Sequence, residues 1–307
     1  MILGTAILLC TFNGEEYLSD QLDSYLSQTY SSWKLWVSDD GSIDKTKEII
    51  ERYQVNLGCD RVRLVDGPKK GYAANFMSLV CNPEIQAEYF AFSDQDDIWC
   101  PEKLKIAQSL LAEIPSKIPA IYCSRTTLVD SDNKFIGYSR LRRRPPKFTN
   151  AILENVGGGN TMVFNKAARD LIALIGEGSD IVSHDWWAYM VISGCGGKVI
   201  YDPNSYIRYR QHSDNIIGKN TGLTPNFSRL NALLRGRYRS WLDININALN
   251  KIKSNLTVEN KILFEKFCSA RHKPYFIKLL AVMRTGVHRQ TTLGNIAFLI
   301  ACLINRV

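Results

Sequence analysis

The chain has 307 residues, 45% of them hydrophobic and 22% charged, with 20 Gly and 10 Pro. That length suits one large α/β domain or a catalytic core with an appended module, and the composition excludes a disordered, collagen-like or low-complexity protein. The formal net charge of +8 points to an anionic partner without choosing among nucleic acid, nucleotide phosphates and acidic lipid.

The first hundred residues alternate as parallel βαβ units. Thr5 to Cys10 is a continuous apolar run, the pattern of a strand buried on both faces. After the turn at Asn13-Gly14, Leu18, Leu22, Tyr25 and Leu26 recur at helical spacing. Trp33 to Ser38 predicts a second strand, ending at Asp39-Asp40-Gly41. Ser42 or Asp44 caps the next helix, with Ile43, Thr46, Ile49, Ile50 and Tyr53 facing inward. Val62 to Val65 is a short third strand, Ala73 to Val80 a helix, and Glu88 to Phe92 a fourth strand leading into Ser93-Asp94-Gln95-Asp96-Asp97.

Further on, Pro101 to Leu111 predicts a helix with its proline harmlessly in the first turn. Ala120 to Ser124 predicts a strand, Arg140 to Lys147 an exposed basic loop, and Gly157-Gly158-Gly159-Asn160-Thr161 a glycine loop. Ser183 can cap a helix beginning at Asp185-Trp186-Trp187, and Lys198 to Tyr201 returns as a strand. From Lys219 onward Lys and Arg number 15 against 3 Asp and Glu, whereas residues 1–218 hold 23 against 27. The basic character therefore belongs to a helical tail, 219–307, behind a mildly acidic unit, 1–218.

The eight cysteines are scattered and include no CxxC pair, which favours buried free thiols in a reducing cytoplasm over a disulfide framework. The run from Ile2 to Phe12 lacks the basic flank and cleavage site of a secretory signal. Leu293 to Ile304 falls short of the roughly 20 residues of a spanning helix, so no transmembrane segment is predicted.

Open parallel sheets bind ligands beyond the carboxyl ends of their strands. Thr11-Phe12-Asn13-Gly14, Asp39-Asp40-Gly41 and Asp94-Gln95-Asp96-Asp97 all follow strands. Neither GxGxxG nor a GxxxxGK[ST] loop follows the first strand, which excludes the commonest nucleotide folds. Three carboxylates within four positions call for a compensating cation, and hard oxygen donors favour Mg²⁺ or Mn²⁺ shared with substrate phosphates. The bland alternative is a solvated turn before a helix.

These clusters, with Leu8-Leu9-Cys10 before the first and Ile98-Trp99 after the last, resemble the nucleotide-binding half of family 2 glycosyltransferases with the GT-A fold. Gly158-Gly159-Asn160-Thr161-Met162, His184-Asp185-Trp186-Trp187 and Tyr209-Arg210-Gln211-His212-Ser213-Asp214-Asn215 are similar to the bacterial rhamnosyltransferase branch that builds O-antigen and other cell-wall polysaccharides. The resemblance implies an α/β, Rossmann-like, mostly parallel sheet, with a nucleotide-sugar half over about 1–100 and an acceptor half over about 101–218.

By this resemblance Thr11 and Asn13 lie along the nucleotide, Asp39 accepts the N3–H of a pyrimidine base, and Asp94 contacts the ribose or sugar. Asp96 binds the metal; His212 either joins it at the metal or diphosphate or is structural, and Asp97 supports the loop or the metal. Asp185 is the expected general base of an inverting displacement, its bland alternative being a helix-start acid. Gly158, Asn160, Trp99, Trp186 and Arg210 are possible sugar or acceptor contacts, although such tryptophans can equally fill a core and such glycines can form a plain turn.

The resemblance implies a nucleoside diphosphate-sugar donor, specifically dTDP-L-rhamnose, and a polyprenyl-linked or polysaccharide acceptor, with a UDP-hexose donor and another acceptor as the alternative. The basic tail, with apolar runs Tyr275 to Met283 and Leu293 to Leu303, either holds the enzyme at the anionic inner face of the cell membrane or packs on the catalytic unit. Two other functions fit less well. A sugar-nucleotide pyrophosphorylase needs a basic glycine-rich loop where this chain has Glu15-Glu16, and a nucleic-acid-binding module leaves the strand-end acids unexplained.

Overall fold

The computed structural model of the chain describes residues 4–212 and 237–307. Strands β1 (Thr5–Thr11), β2 (Trp33–Asp39), β3 (Val62–Asp66) and β4 (Tyr89–Ser93) lie parallel in the order β3-β2-β1-β4. They are connected through α1 (Leu18–Leu26), α2 (Thr46–Leu57) and α3 (Tyr72–Cys81). Every residue of β1 is buried, because helices cover both faces of the sheet. Alternate side chains serve the two faces: Ala6 and Leu8 pack with Phe76 and Met77 of α3, while Ile7 and Leu9 pack with Leu18, Leu22 and Tyr25 of α1.

Helix α2 begins later than its apolar pattern suggests. Ile43, expected to face inward, is 93% exposed, and the helix buries Thr46 and Ile50. Asp44 terminates the preceding turn by accepting the backbone N–H of Thr46 at 3.0 Å.

The second half contains β5 (Ile98–Trp99), α4 (Lys103–Ala112), β6 (Ala120–Val129), β7 (Phe135–Tyr138), α5 (Phe148–Ala151), a 3-10 turn (Gly159–Thr161), β8 (Val163–Asn165), α6 (Lys166–Ala173), α7 (His184–Gly194) and β9 (Lys198–Arg210). β8 runs antiparallel between β4 and β6, β9 is parallel to β6, and β5 and β7 are antiparallel to β9 and β6. Among the described residues the sheet is thus evenly mixed, correcting the expectation of a mostly parallel one. The physical cause is the entry point of β8. The chain arrives through the glycine loop at the carboxyl end of β4, where the Met162 carbonyl accepts the Phe92 N–H at 3.1 Å, so the strand can only run back down.

The tail helices are α8 (Arg237–Lys251), α9 (Val258–Arg271), α10 (Tyr275–Arg284) and α11 (Thr292–Leu303). Leu242, Leu249, Phe264, Phe267 and Phe298 join the same hydrophobic cluster as Phe148, Trp187 and Ile192. Arg289 binds Glu154 at 3.0 Å across the same contact. The tail therefore packs on the preceding α/β unit. The expected boundary at 218/219 and the Ser213-Asp214-Asn215 end of the last motif lie outside the described residues. No helix among the described residues is long and apolar enough to cross a membrane. All eight cysteines are free, and they are not uniformly buried: Cys10, Cys123 and Cys302 are, whereas Cys59 is exposed.

Candidate active site

Parallel register places the strand ends side by side, with Thr11 opposite Asp39 and Leu9 opposite Ser93. The loops beyond β1 and β2 are stitched together. Thr11 Oγ1 donates to Asp39 Oδ2 at 2.9 Å, the Asn13 N–H to Ser42 Oγ at 2.9 Å, and the Gly14 N–H to Thr46 Oγ1 at 2.8 Å. Asn13 turns the chain with φ 47°, a left-handed conformation that asparagine tolerates, and its Oδ1 accepts the Ile43 N–H at 3.0 Å.

Asp39 also accepts Ser42 Oγ–H at 2.5 Å and the N–H groups of Ser42 at 2.9 Å and Gly41 at 3.2 Å. Burial pushes its carboxyl up, but these bonds from Ser42, Thr11 and Gly41 outweigh it and hold the pKa below the usual range. Four donors match the lone-pair capacity of a carboxylate. To accept a base N3–H, Asp39 must exchange one of them, and Ser42 Oγ is the rotatable one. Phe12, which the motif reading passed over, stands 56% exposed at the tip of this double loop.

The acidic loop after β4 is clamped from two sides. Gln95 Nε2 donates to the Phe12 carbonyl at 3.0 Å and Gln95 Oε1 accepts the Phe12 N–H at 2.8 Å. Arg210 donates from Nε to the Asp96 carbonyl at 3.1 Å, from Nη1 to the Ser131 carbonyl at 2.6 Å and from Nη2 to Asp20 at 2.8 Å. With its side chain only 3% exposed, Arg210 braces the loop from beneath.

Asp96 Oδ2 and His212 Nε2 lie 2.8 Å apart, both partly accessible. Asp97 is fully buried and accepts Asn160 Nδ2–H at 2.6 Å. Asn160 is therefore a partner of the acidic loop. Asp94 is part-buried directly after β4. Burial, then Asp96 and Asp185, push its carboxyl up to about 8, while Lys103 pulls the other way. Lys103 itself is buried with Nζ over the Trp99 ring at 3.6 Å, and burial holds it down to about 7 against the pull of Asp97 and Asp94.

Asp185 occupies the first turn of α7. Its Oδ2 accepts the Gly159 N–H at 3.1 Å, and its Oδ1 accepts Ser183 Oγ–H at 2.6 Å and the Trp186 N–H at 2.7 Å. Three donors fix the carboxylate and leave about one lone-pair position for an incoming hydroxyl. Gly158 holds the turn by accepting the Thr161 N–H at 3.0 Å. Two tryptophans expected as possible sugar platforms are core residues. Trp99 is 1% exposed between Tyr25 and Lys103, and Trp186 is 6% exposed with its Nε1 on the Ala151 carbonyl at 2.7 Å. Their indole area is worth more buried than exposed beside solvated acids.

His184 sits beneath the glycine loop, stacked on Phe76 at 3.7 Å, with neither ring nitrogen hydrogen-bonded. Burial holds its pKa down to about 4. Tyr72, above it, is pushed up to about 12 by burial and then by Asp185 and Asp94. Tyr72 thus lies within electrostatic reach of both Asp185 and Asp94.

Among the described residues no group of three or more His, Cys, Asp or Glu side chains is arranged to hold a metal ion. Asp96 and His212 supply one oxygen and one nitrogen at hydrogen-bonding separation. That donor pair suits a divalent cation completed by substrate phosphate and water.

Comparison with known proteins gives a family match and a fold match. The profile of glycosyl transferase family 2 matches residues 6–171. The chain is 28% identical over 255 residues to the dTDP-rhamnosyl transferase RfbG of Shigella flexneri, covering 78% of this chain and 84% of that one. It is 28% identical over 156 residues to the UDP-Glc:alpha-D-GlcNAc-diphosphoundecaprenol beta-1,3-glucosyltransferase WfgD of Escherichia coli, covering 50% of this chain and 56% of that one. The mannosyltransferase PcManGT of Pyrobaculum calidifontis, solved with GDP-Man and Mn²⁺, superposes with TM-score 0.53 at 16% identity, covering 100% of this chain and 87% of that one.

Proposed function

Since the chain belongs to glycosyl transferase family 2, we propose that it moves a hexosyl unit from a pyrimidine nucleoside diphosphate-sugar to a hydroxyl of a polysaccharide or lipid-linked acceptor, with Asp185 as general base. It is a glycosyltransferase by family. The observation that supports the rest is the glycine loop joining the two acidic segments: Asn160 donates to Asp97 of the loop after β4 at 2.6 Å, and the neighbouring Gly159 N–H donates to Asp185 at 3.1 Å. Nucleotide recognition and proton removal then act on opposite sides of one bound sugar.

In this reading the stitched loops after β1 and β2 receive the base, with Asp39 exchanging the Ser42 hydroxyl for the base N3–H and Phe12 covering one face of the ring. Asp94 meets the ribose or sugar hydroxyls. Asp96 and His212 would hold a Mg²⁺ or Mn²⁺ ion, as PcManGT, which shares the fold, was solved with Mn²⁺, and that ion would supply Lewis-acid neutralisation of the diphosphate. Asp185 takes the acceptor hydroxyl proton on the carboxylate position left unfilled. The acceptor oxygen forms its bond to the anomeric carbon as the nucleoside diphosphate leaves from the opposite face, so configuration inverts.

The narrower donor, dTDP-L-rhamnose, is supported by the Shigella relative. The E. coli relative is named for UDP-glucose and a diphosphoundecaprenol acceptor. Thymine and uracil share the N3–H that suits Asp39, so the wider class of pyrimidine donors is the better supported reading. Calorimetric titration of dTDP-rhamnose, UDP-glucose, UDP-galactose and GDP-mannose in the presence of Mn²⁺ tests it. Binding and turnover of a pyrimidine donor are expected, and preference for GDP-mannose, or binding of none, would refute it.

A further inference from the structure

Helices α10 and α11 each bury one face in the hydrophobic cluster that the tail shares with the α/β unit, through Val282 on α10 and Phe298, Ala301 and Cys302 on α11. Their other faces are apolar as well. Phe276, Leu280 and Met283 recur at i, i+4 and i+7, and Leu293, Ile296 and Ile300 at i, i+3 and i+7, with exposures between 47% and 77%. The two helices pack side by side, so their stripes sit on neighbouring helices. A water-facing helix ordinarily shows polar residues there, and an outward apolar stripe rimmed by charge marks an interaction surface.

Charge selects the partner. From Lys266 to Val307 the chain carries seven Lys and Arg and no Asp or Glu. Arg271, Lys278 and Arg289 are bound internally to Asp243, Asn305 and Glu154. Lys273, Arg284 and Arg306 are exposed at the helix ends. Two copies meeting through this face would oppose cations to cations with no carboxylate to relieve them, whereas an anionic bilayer supplies both apolar depth and negative charge. At about 1.5 Å per residue, the 12 residues of α11 are far too short to span a hydrocarbon core of about 30 Å. The pair can lie in the interface but not cross it.

We propose that the outer face of α10 and α11 is an anionic-membrane docking surface. Its purpose, presenting the cleft to a lipid-linked acceptor, rests on the function proposed above; the surface itself does not. The internally bound cations and the inner apolar faces of the tail hold the fold together, and the outer stripe with Lys273, Arg284 and Arg306 meets the lipid.

Sedimentation of the full chain with phosphatidylcholine vesicles, with and without phosphatidylglycerol, tests this. Binding is expected to the anionic vesicles. The double variant Phe276→Ser/Leu280→Ser should bind them on the order of tenfold more weakly, and Lys273→Gln/Arg284→Gln about fivefold more weakly per cation. Neither pair touches the cleft, so hydrolysis of the sugar nucleotide without vesicles should match the parent chain and serves as the folding control. Failure of the parent chain to bind anionic vesicles, or equal binding by the serine variant, overturns the proposal. So does a parent dimer that the serine variant converts to monomer without any vesicle association, which would assign the face to a second copy. Vesicle binding as expected in a chain that turns over no sugar nucleotide would refute the proposed activity and leave the docking surface standing.

Discussion

The backbone N–H of Gly159 donates to Asp185 Oδ2 at 3.1 Å, joining the glycine loop to the start of α7 at the residue with the proposed proton-accepting role. The contact is close enough to forbid a side chain. A Cβ on Gly159 would fall 2.4 Å from His184 Nε2 and 3.3 Å from the Asp185 Cβ. Gly159→Ala should therefore shift both side chains, costing about 1–3 kcal/mol of stability through overpacking and lowering kcat more than it raises KM for the donor. Steady-state kinetics beside thermal melts would check it; unchanged kcat would mean that the loop does not set the position of Asp185.

Asp185→Asn keeps the shape of the side chain and most of its hydrogen bonds but removes the base. Turnover should fall on the order of 10²- to 10⁴-fold, with donor affinity nearly intact by calorimetry. A folded variant with near-parental turnover would take the role from Asp185.

The pairing of Asp96 with His212 at 2.8 Å predicts that both act on one cation. Asp96→Ala and His212→Ala should each abolish most of the difference between donor affinity in Mn²⁺ and in EDTA, and the double variant should do little more, because the two groups share one site. Identical parental affinity in Mn²⁺ and EDTA would remove the metal from donor binding.

Acid sensitivity should trace in part to His184. Burial lowers its pKa to about 4 from the ordinary 6.5, so the unfolded chain binds the proton more tightly than the folded one. The stability linked to the neutral ring is then complete above about 6.5 and is lost as pH falls through about 4, by roughly 3 kcal/mol in all. His184→Phe keeps the stack on Phe76 without a titrating nitrogen. Melting temperatures of the variant should fall less between pH 7 and pH 4 than those of the parent chain, and parallel curves would exclude His184 as a source of the loss.

Burial, then Asp96 and Asp94, push the Asp97 carboxyl well up, and Asn160, which donates to it at 2.6 Å, is the neutral donor that pulls the other way. Asn160→Asp would replace it with a second acid and should destabilise the fold by about 3 kcal/mol at neutral pH. The deficit should shrink in acid, as a proton shared between the two carboxyls restores a hydrogen bond. Urea titrations at pH 5 and pH 8 would measure this; equal losses at the two pH values would contradict it.

Local periodicity made much of the first hundred residues readable. The continuous apolar runs of β1 and β4 and the spaced stripe of α1 are consequences of burial, and burial on two faces writes itself directly into residue type. The same arithmetic put the acids at strand ends, where a parallel sheet leaves its ligands. Helix α6 carried a legible start signal that the sequence reading passed over: Asn165, whose side chain accepts the Ala168 N–H at 3.0 Å, opens an amphipathic run.

What periodicity cannot carry is the identity of the neighbour. Trp99 and Trp186 look alike as sugar platforms or as core, and packing by Lys103 and the Ala151 carbonyl decided for core. No local pattern announces that Arg210 meets Asp20, 190 positions away. The direction of β8 follows from where the glycine loop delivers the chain, and the stray Ile43 from where α2 begins. By itself the sequence determined which residues are apolar, acidic and turn-forming, and hence the βαβ frame and its ring of carboxylates. Tertiary structure alone decided which of those side chains face the cleft and which brace it, because that depends on contacts between segments far apart in the chain, which no local pattern records.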